Sequence, residues 1–511
     1  MKQRSFSANS LLSVGGWFIP AVALFFCTPI IVRGLGNDAY GLWVMVSALT
    51  GFLGLMELGL GQAVIRYLSF YRALSQGRPM IGIVWFTLRW FGLAGAVGGI
   101  LLIAGTPWLV HVLHIAPGLR STAMIVFRLA GINFLLGMLI SAGAAIPPSF
   151  LRYDFVGGAN AVFGAGTTVL AAVLVKLGYG VVALMVFYIA ANVLAMIVYA
   201  AMAWRLFRSV PLNVGPTWRE IRRKTLSFAG VTAITRIHMV VAAQANRLVV
   251  GAANGTAAAT FYQVPNLISA NVGTMTSSVA AVLFPTGSGL IARQDHVTVR
   301  ALYLRTSRLF FLINATVNAA LCALAVPLLA HWVGPQYAQK GALALVVFAI
   351  AQTVNVATMA GSLLNLSAAR PGINLAFSAA NSSINLMLVY PLAVRYGITG
   401  AALAGLLGTT TVPFFIHFVN RHVVMVSSWT VLRSAYLPTI VGATACGTLA
   451  HFFVAPLCST LMITLVMWCL VCAIALTASG LLGAVSREDV RTAKRLLSTL
   501  HRRPAERGGG S

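Results

Sequence analysis

Apolar stretches of about 20 residues, the length a bilayer's hydrocarbon core requires, recur along the whole chain between short polar or basic loops. The pattern predicts fourteen membrane spans: 11–31, 40–64, 81–104, 121–145, 155–175, 181–202, 226–252, 259–284, 309–329, 342–364, 373–394, 400–418, 436–453 and 461–482. The chain therefore reads as an all-α polytopic membrane protein.

The seventh span differs from the rest. Residues 226–252 are apolar enough to cross, yet they carry Arg236, His238, Gln244, Asn246 and Arg247. At about 100° per residue, Arg236 and Arg247 fall within about 20° of each other around the helix, with Gln244 near that face and Asn246 bordering it. Arg236 lies ~15 Å deep, near the bilayer midplane, where a guanidinium costs several kcal/mol unless it meets water or an anion. Two readings stand: a water-filled cavity, or an arginine bonded to neighbouring carbonyls. Arg247, ~8 Å from the other end, could also snorkel to the headgroups. His238 points about 200° away from Arg236, toward packing or lipid.

Composition agrees with the pattern, at 59% hydrophobic and 8% charged residues. A formal charge of +27 suggests nucleic acid until its distribution is considered. With the N-terminus in the cytoplasm, 26 of the 35 Lys and Arg fall in inner loops and termini, 5 fall outside, and 4 (Arg89, Arg128, Arg236 and Arg247) lie within spans. That asymmetry obeys the positive-inside rule, places both termini in the cytoplasm and rejects nucleic acid as a partner. The six cysteines lie in or beside spans, without metal or disulfide spacing. No convincing cleavage site follows the N-terminus, so the first span is expected to be retained.

The chain also repeats itself. Pro107–His111 and Pro327–His331 share the pattern P-x-L-x-H after the third and ninth spans, 220 residues apart, and Val175–Gly178 and Val394–Gly397 are 219 apart. Six spans between copies give a parallel repeat. The expected organisation is an N-lobe over 1–204, a basic linker over 205–225, a C-lobe over 226–420, two additional helices over 421–484, and a basic tail over 485–511 whose final Gly-Gly-Gly-Ser reads as an appended linker. Transporters built this way place substrate between the halves, near mid-membrane. Polar stripes fit this: Asn374, Ser378, Asn381 and Asn385 share one face of the eleventh span, Gln352, Asn355 and Ser362 one side of the tenth, and Gln263, Asn266 and Ser277 one side of the eighth. Each stripe alone could equally be helix-packing glue; together they favour a hydrophilic cavity.

Of eight carboxylates only Glu57 lies well inside a span, as an ion-coupling site or as the counter-charge of an intramembrane arginine. Arg89 and Arg128, ~10–12 Å from a surface, are further cavity candidates within snorkelling reach. Four cations against one acid favour an anionic substrate, and Arg suits phosphate oxygens. No Walker loop, HExxH or GxSxG is present, so neither an enzyme nor a cofactor is expected.

Gly34–Trp43 (GLGNDAYGLW), Glu57–Ala63 (ELGLGQA) with Arg66 and Tyr67, Phe261-Tyr262, Phe284-Pro285, Trp332–Tyr337 and Tyr396–Gly400 resemble the polysaccharide-exporter (Wzx-type) flippases of the multidrug/oligosaccharidyl-lipid/polysaccharide (MOP) exporter superfamily. The resemblance implies two six-helix lobes around a central cavity plus two C-terminal helices. It also implies flipping of an undecaprenyl-pyrophosphate-linked oligosaccharide across a bacterial inner membrane. Membrane lipids would be its surroundings, and polysaccharide polymerase and glycosyltransferases its partners. The family often has an acid at Glu57, kept here, and another near Asn246, absent here, which weakens any coupling scheme needing an acid in the seventh span. A cation-coupled multidrug exporter and a lipid II-type precursor flippase are the alternatives within the superfamily.

Overall fold

The computed structural model describes residues 6–211, 214–219, 237, 240–241, 244–281, 296–368 and 370–484. Among the described residues every regular element is a helix and no strand occurs. This is the solution hydrocarbon imposes: with no water to satisfy the backbone, each N–H and C=O must pair within its own segment. Among the described residues ten helical stretches are long and apolar enough to cross a membrane. One of them, Gly372–Val424, contains both the eleventh and twelfth predicted spans. The thirteenth is the 17-residue helix Leu437–Phe453. Much of the seventh span and the end of the eighth lie outside the described residues.

The chain divides into two compact units, Met1–Val264 with Leu386–Ala404, and Pro265–Asn385 with Gly405–Ser511. The first contains α1 (Phe6–Leu35), α2 (Asn37–Leu53), α3 (Leu60–Ala73), α4 (Gly77–Val112), α5 (Arg120–Ala144), α6 (153–176, with a π turn at Asn160–Ala165), α7 (Val181–Phe207) and α8 (244–254). The opening turns of α9 (Thr256–Ala281) also belong to it. Its core is built from Leu42 and Met45 of α2, Phe91 of α4 and Phe127 and Ala130 of α5. Lipid tails are as apolar as leucine, so helices here associate through close packing and buried hydrogen bonds. α4 and α5 cross at Gly99 and Gly131, where a Cβ on either would come within 2.7 Å of the other's carbonyl oxygen. Asn192 of α7 donates to the Asn133 side chain of α5 at 2.8 Å.

The second unit contains α10 (His296–Ala323), α11 (Pro335–Val356), α12 (Met359–Ser367), the two ends of α13 (Pro371–Gly408), α14 (Thr411–Val419), α15 (Leu437–Phe453) and α16 (Leu461–Ser479). Tyr303, Phe311, Phe415, Val431 and Tyr436 form its core. The buried tyrosines spend their hydroxyls inside it: Tyr303 donates to Asn420 Oδ1 at 2.7 Å and Tyr436 to the Ala357 carbonyl at 3.1 Å. Two of the sequence motifs prove to be folding devices. Trp332 and Tyr337 are buried around Gly334, which turns the chain at φ 148°. Gly397, at φ 60° and ψ −141°, kinks α13 between the two predicted spans.

The α4–α5 crossing tolerates no added side chain. Gly131→Val should cost about 1–3 kcal/mol by overpacking, read as a lower thermal midpoint of the detergent-solubilised protein, whereas the same change at Gly137, which has open space beside it, should leave the midpoint nearly unchanged.

Candidate functional site

Within the first unit, α2 packs tightly along α8 and the start of α9. A Cβ on Gly51 would lie 2.7 Å from the Gln244 side chain, and one on Gly251 would lie 2.6 Å from Met45. Gly41 rests directly on the Thr256 carbonyl. Residue numbers rise on one helix as they fall on the other, so these segments run antiparallel. Two hydrogen bonds lock the end of the contact: Thr256 Oγ1 donates to Asp38 Oδ1 at 2.6 Å, and Thr260 Oγ1 donates to the Asn37 carbonyl at 2.7 Å. Asn254 then donates to the Ala393 carbonyl at 3.1 Å, tying α8 to the part of α13 that belongs to this unit.

Arg247 lies in this contact. Its Nη1 donates to Gln244 Oε1 at 3.3 Å, a weak bond, and among the described residues its buried Nε has no hydrogen-bond partner. The rings of Tyr40 and Tyr262 are its electrostatic neighbours. Asn246, buried, shares a hydrogen bond with the Tyr262 hydroxyl. Among the described residues no carboxylate pairs with Arg247. A guanidinium has five donors and a strong preference for oxyanions. Here one is half-buried in an apolar setting with donors still unspent, which is the chemistry of an anion-binding group.

The second element is a break that the hydrophobic pattern did not reveal. Residues 40–64 read as one continuous span, but the structure ends α2 at Leu53, continues as a 3-10 turn over Gly54–Glu57, and restarts at Leu60. Leu58 and Gly59 are both left-handed, at φ 48° and 68°. An α-helix cannot pass through two such residues. The indole Nε1 of Trp90 donates to the Met56 carbonyl at 3.1 Å, answering one backbone oxygen of the break. Glu57 Oε1 lies against Gly61, in the first turn of α3. A carboxylate there meets the positive end of the helix dipole. Glu57 is thus a group at a helix discontinuity, the arrangement from which membrane transporters build ion and substrate sites.

In the second unit the asparagine stripes divide. Asn374 accepts from Asn365 at 2.7 Å and donates to the Ser362 carbonyl at 2.9 Å, so it is spent on holding α12 to α13. Asn381 donates to Asn355 Oδ1 at 3.4 Å, with Gly408 close behind it. Asn385 is buried and Asn266 half-buried. Gln352 packs over Gly273. Of the remaining candidates, Arg89 and Arg128 sit on exposed faces of α4 and α5, while Arg236 and His238 lie outside the described residues. The structure thus brings Gln244, Asn246 and Arg247 into one cluster and Asn355 with Asn381 into another. Among the described residues no group of three or more His, Cys, Asp or Glu is placed to hold a metal.

A family model described as "Polysaccharide biosynthesis protein" matches residues 30–342. A curated relative from Shigella flexneri, described as "Putative O-antigen transporter", is 21% identical over 396 residues, 78% of this chain and 93% of the relative. Among solved structures, the lipid II flippase MurJ in an inward closed conformation matches with a TM-score of 0.72 at 11% identity, over 91% of this chain and 97% of that one. An inward-facing multidrug resistance MATE family transporter of the MOP superfamily matches with a TM-score of 0.68 at 15% identity, over 80% and 97%. At such identities the likeness carries the fold: the chain folds like these two membrane proteins.

Gly59 holds the helix break open, and its substitution separates backbone strain from side-chain bulk. Gly59→Ala should destabilise by about 1 kcal/mol or more, because alanine resists positive φ. Gly59→Asn, which tolerates the left-handed region, should cost clearly less. Thermal midpoints of the two purified variants provide the comparison.

Proposed function

Because this chain belongs to the polysaccharide biosynthesis protein family, we propose that it flips an undecaprenyl-pyrophosphate-linked polysaccharide repeat unit from the cytoplasmic to the periplasmic leaflet. It is a multi-pass membrane transporter. The bacterial inner membrane, the cytoplasmic termini and alternating access complete the proposal, and the charge asymmetry of the loops supports the orientation. The observation that carries the anionic substrate is Arg247, half-buried, weakly bonded to Gln244 and retaining a buried unpaired Nε. Such a group gains most from an oxyanion, since Arg–phosphate bonds strengthen where water is scarce. In this reading Arg247 and Arg236 engage the pyrophosphate or acidic sugars, while Asn246, Asn355, Asn381 and Asn385 offer hydrogen bonds to sugar hydroxyls.

A cation-coupled exporter is the second reading, and Glu57 at the helix break supports it. A cationic drug needs carboxylates, however, and this chain places one acid against four cations within its spans.

Reconstitution into liposomes tests the proposal. The wild-type protein should translocate a fluorescent polyprenyl-pyrophosphoryl oligosaccharide, and Arg236→Ala and Arg247→Ala should each slow it at least about tenfold, the cost of losing one ~1.4 kcal/mol charge-assisted contact. No translocation of that lipid, with efflux of a cationic dye abolished by Glu57→Gln, would replace this reading by the drug exporter.

A further inference from the structure

A separate, exposed feature lies on α4, apart from the Arg247 cluster. Trp85, Arg89, Leu93 and Val97 recur every four residues along it, and all four are exposed. Leu93 and Val97, with Trp90 and Ala94, form one wall of a groove whose other wall is Leu55, Met56 and Leu58 of the helix break. Its volume is about 350 Å³ and its lining is wholly apolar. The groove is fixed rather than incidental: the Trp90–Met56 hydrogen bond joins its two walls, and left-handed Leu58 turns its side chain into it.

Arg89 stands one turn from the groove. Helical side chains lean toward the helix N-terminus, and its guanidinium lies 5.8 Å from the Trp85 ring centroid, in the range of a cation–π contact. Among the described residues its partner is that ring, and no carboxylate neutralises it. The nearest acid along the groove, Glu57, is turned against Gly61 of α3. From Leu93 to Trp85 the helix rises ~12 Å, so Trp85, Arg89 and the groove follow one another from the end of α4 that the positive-inside rule places in the cytoplasm toward the bilayer centre. Tryptophan favours the headgroup level, an intramembrane arginine seeks an anion, and the groove seeks hydrocarbon.

We propose that Trp85, Arg89 and this groove form a binding site for an anionic phospholipid of the inner leaflet, its phosphate on Arg89 and part of one acyl chain between α4 and the helix break. Basic pockets beside membrane helices on the cytoplasmic side select anionic headgroups in this way. The groove holds only part of one chain, so a phospholipid suits it better than a long polyprenyl carrier. The proposal is independent of the transported substrate.

The test uses the full-length protein in phosphatidylcholine nanodiscs containing a trace of photoreactive lipid, a diazirine in the acyl chain of either phosphatidylglycerol or phosphatidylcholine. Crosslinked peptides are mapped by mass spectrometry. The phosphatidylglycerol probe should label the peptides containing 55–58 and 93–97 about fivefold more than its phosphatidylcholine counterpart, the selectivity expected of one basic residue. Arg89→Gln should abolish that preference and Arg89→Lys should keep it. Leu93→Trp, which fills the groove, should reduce labelling by both probes at these peptides only. Equal labelling of the wild type by the two lipids, or a preference unchanged in Arg89→Gln, would overturn the proposal. Displacement of the phosphatidylglycerol label by equimolar polyprenyl pyrophosphate would also overturn it, by assigning the groove to the carrier lipid.

Discussion

A charge or a broken helix inside hydrocarbon must be answered by the protein, because no water is there to answer it. In the first unit both problems are met along α2. Its glycines let α8 pack closely against it, with Gly51 on the Gln244 side chain that accepts from Arg247 one turn along α8, and its C-terminal break is closed by Trp90 from α4 and flanked by Glu57 from its own turn. Among the described residues the answer to the charge is incomplete at Arg247 Nε, and that incompleteness is what a ligand could use. A fully satisfied arginine would be structural; a partly satisfied one is held in place with donors to spare.

The second unit spends its polar groups differently. Tyr303–Asn420, Tyr436–Ala357 and Asn374 with Asn365 are closed bonds between helices, the interhelical glue that membrane proteins use in place of a hydrophobic driving force. Asn355 and Asn381 share a single long bond, which leaves part of their capacity available. Polar residues of the same type thus close bonds between helices at one level of α13 and make a single long bond at another, and only the geometry of their partners separates the two.

Much of this was legible in the sequence. The period of apolar stretches marked the helices, and the short glycine motifs marked the polysaccharide biosynthesis protein family. Arg247 with Gln244 and Asn246 stood out because polar residues are costly within a span. The helix break did not, since Gly54–Glu57 and Leu58 are apolar enough to read as continuous helix; the only local signal was the glycine spacing of ELGLG. The Asp38–Thr256 bond joins residues 218 positions apart and has no local pattern at all. The asparagines of the eleventh span share one face in the sequence, but the neighbours that divide them, Asn365 and Asn355, come from different helices.

The central claim is that Arg247 is an anion-binding group, and equilibrium binding of polyprenyl pyrophosphate to the purified protein tests it most directly. Wild-type protein should bind the pyrophosphate carrier at least about tenfold more tightly than Arg247→Gln does, the loss expected of one charge-assisted contact, and Arg247→Lys should recover part of the difference. Equal affinity of wild type and Arg247→Gln, with both proteins equally stable, would contradict the account and return Arg247 to the packing of α2 on α8.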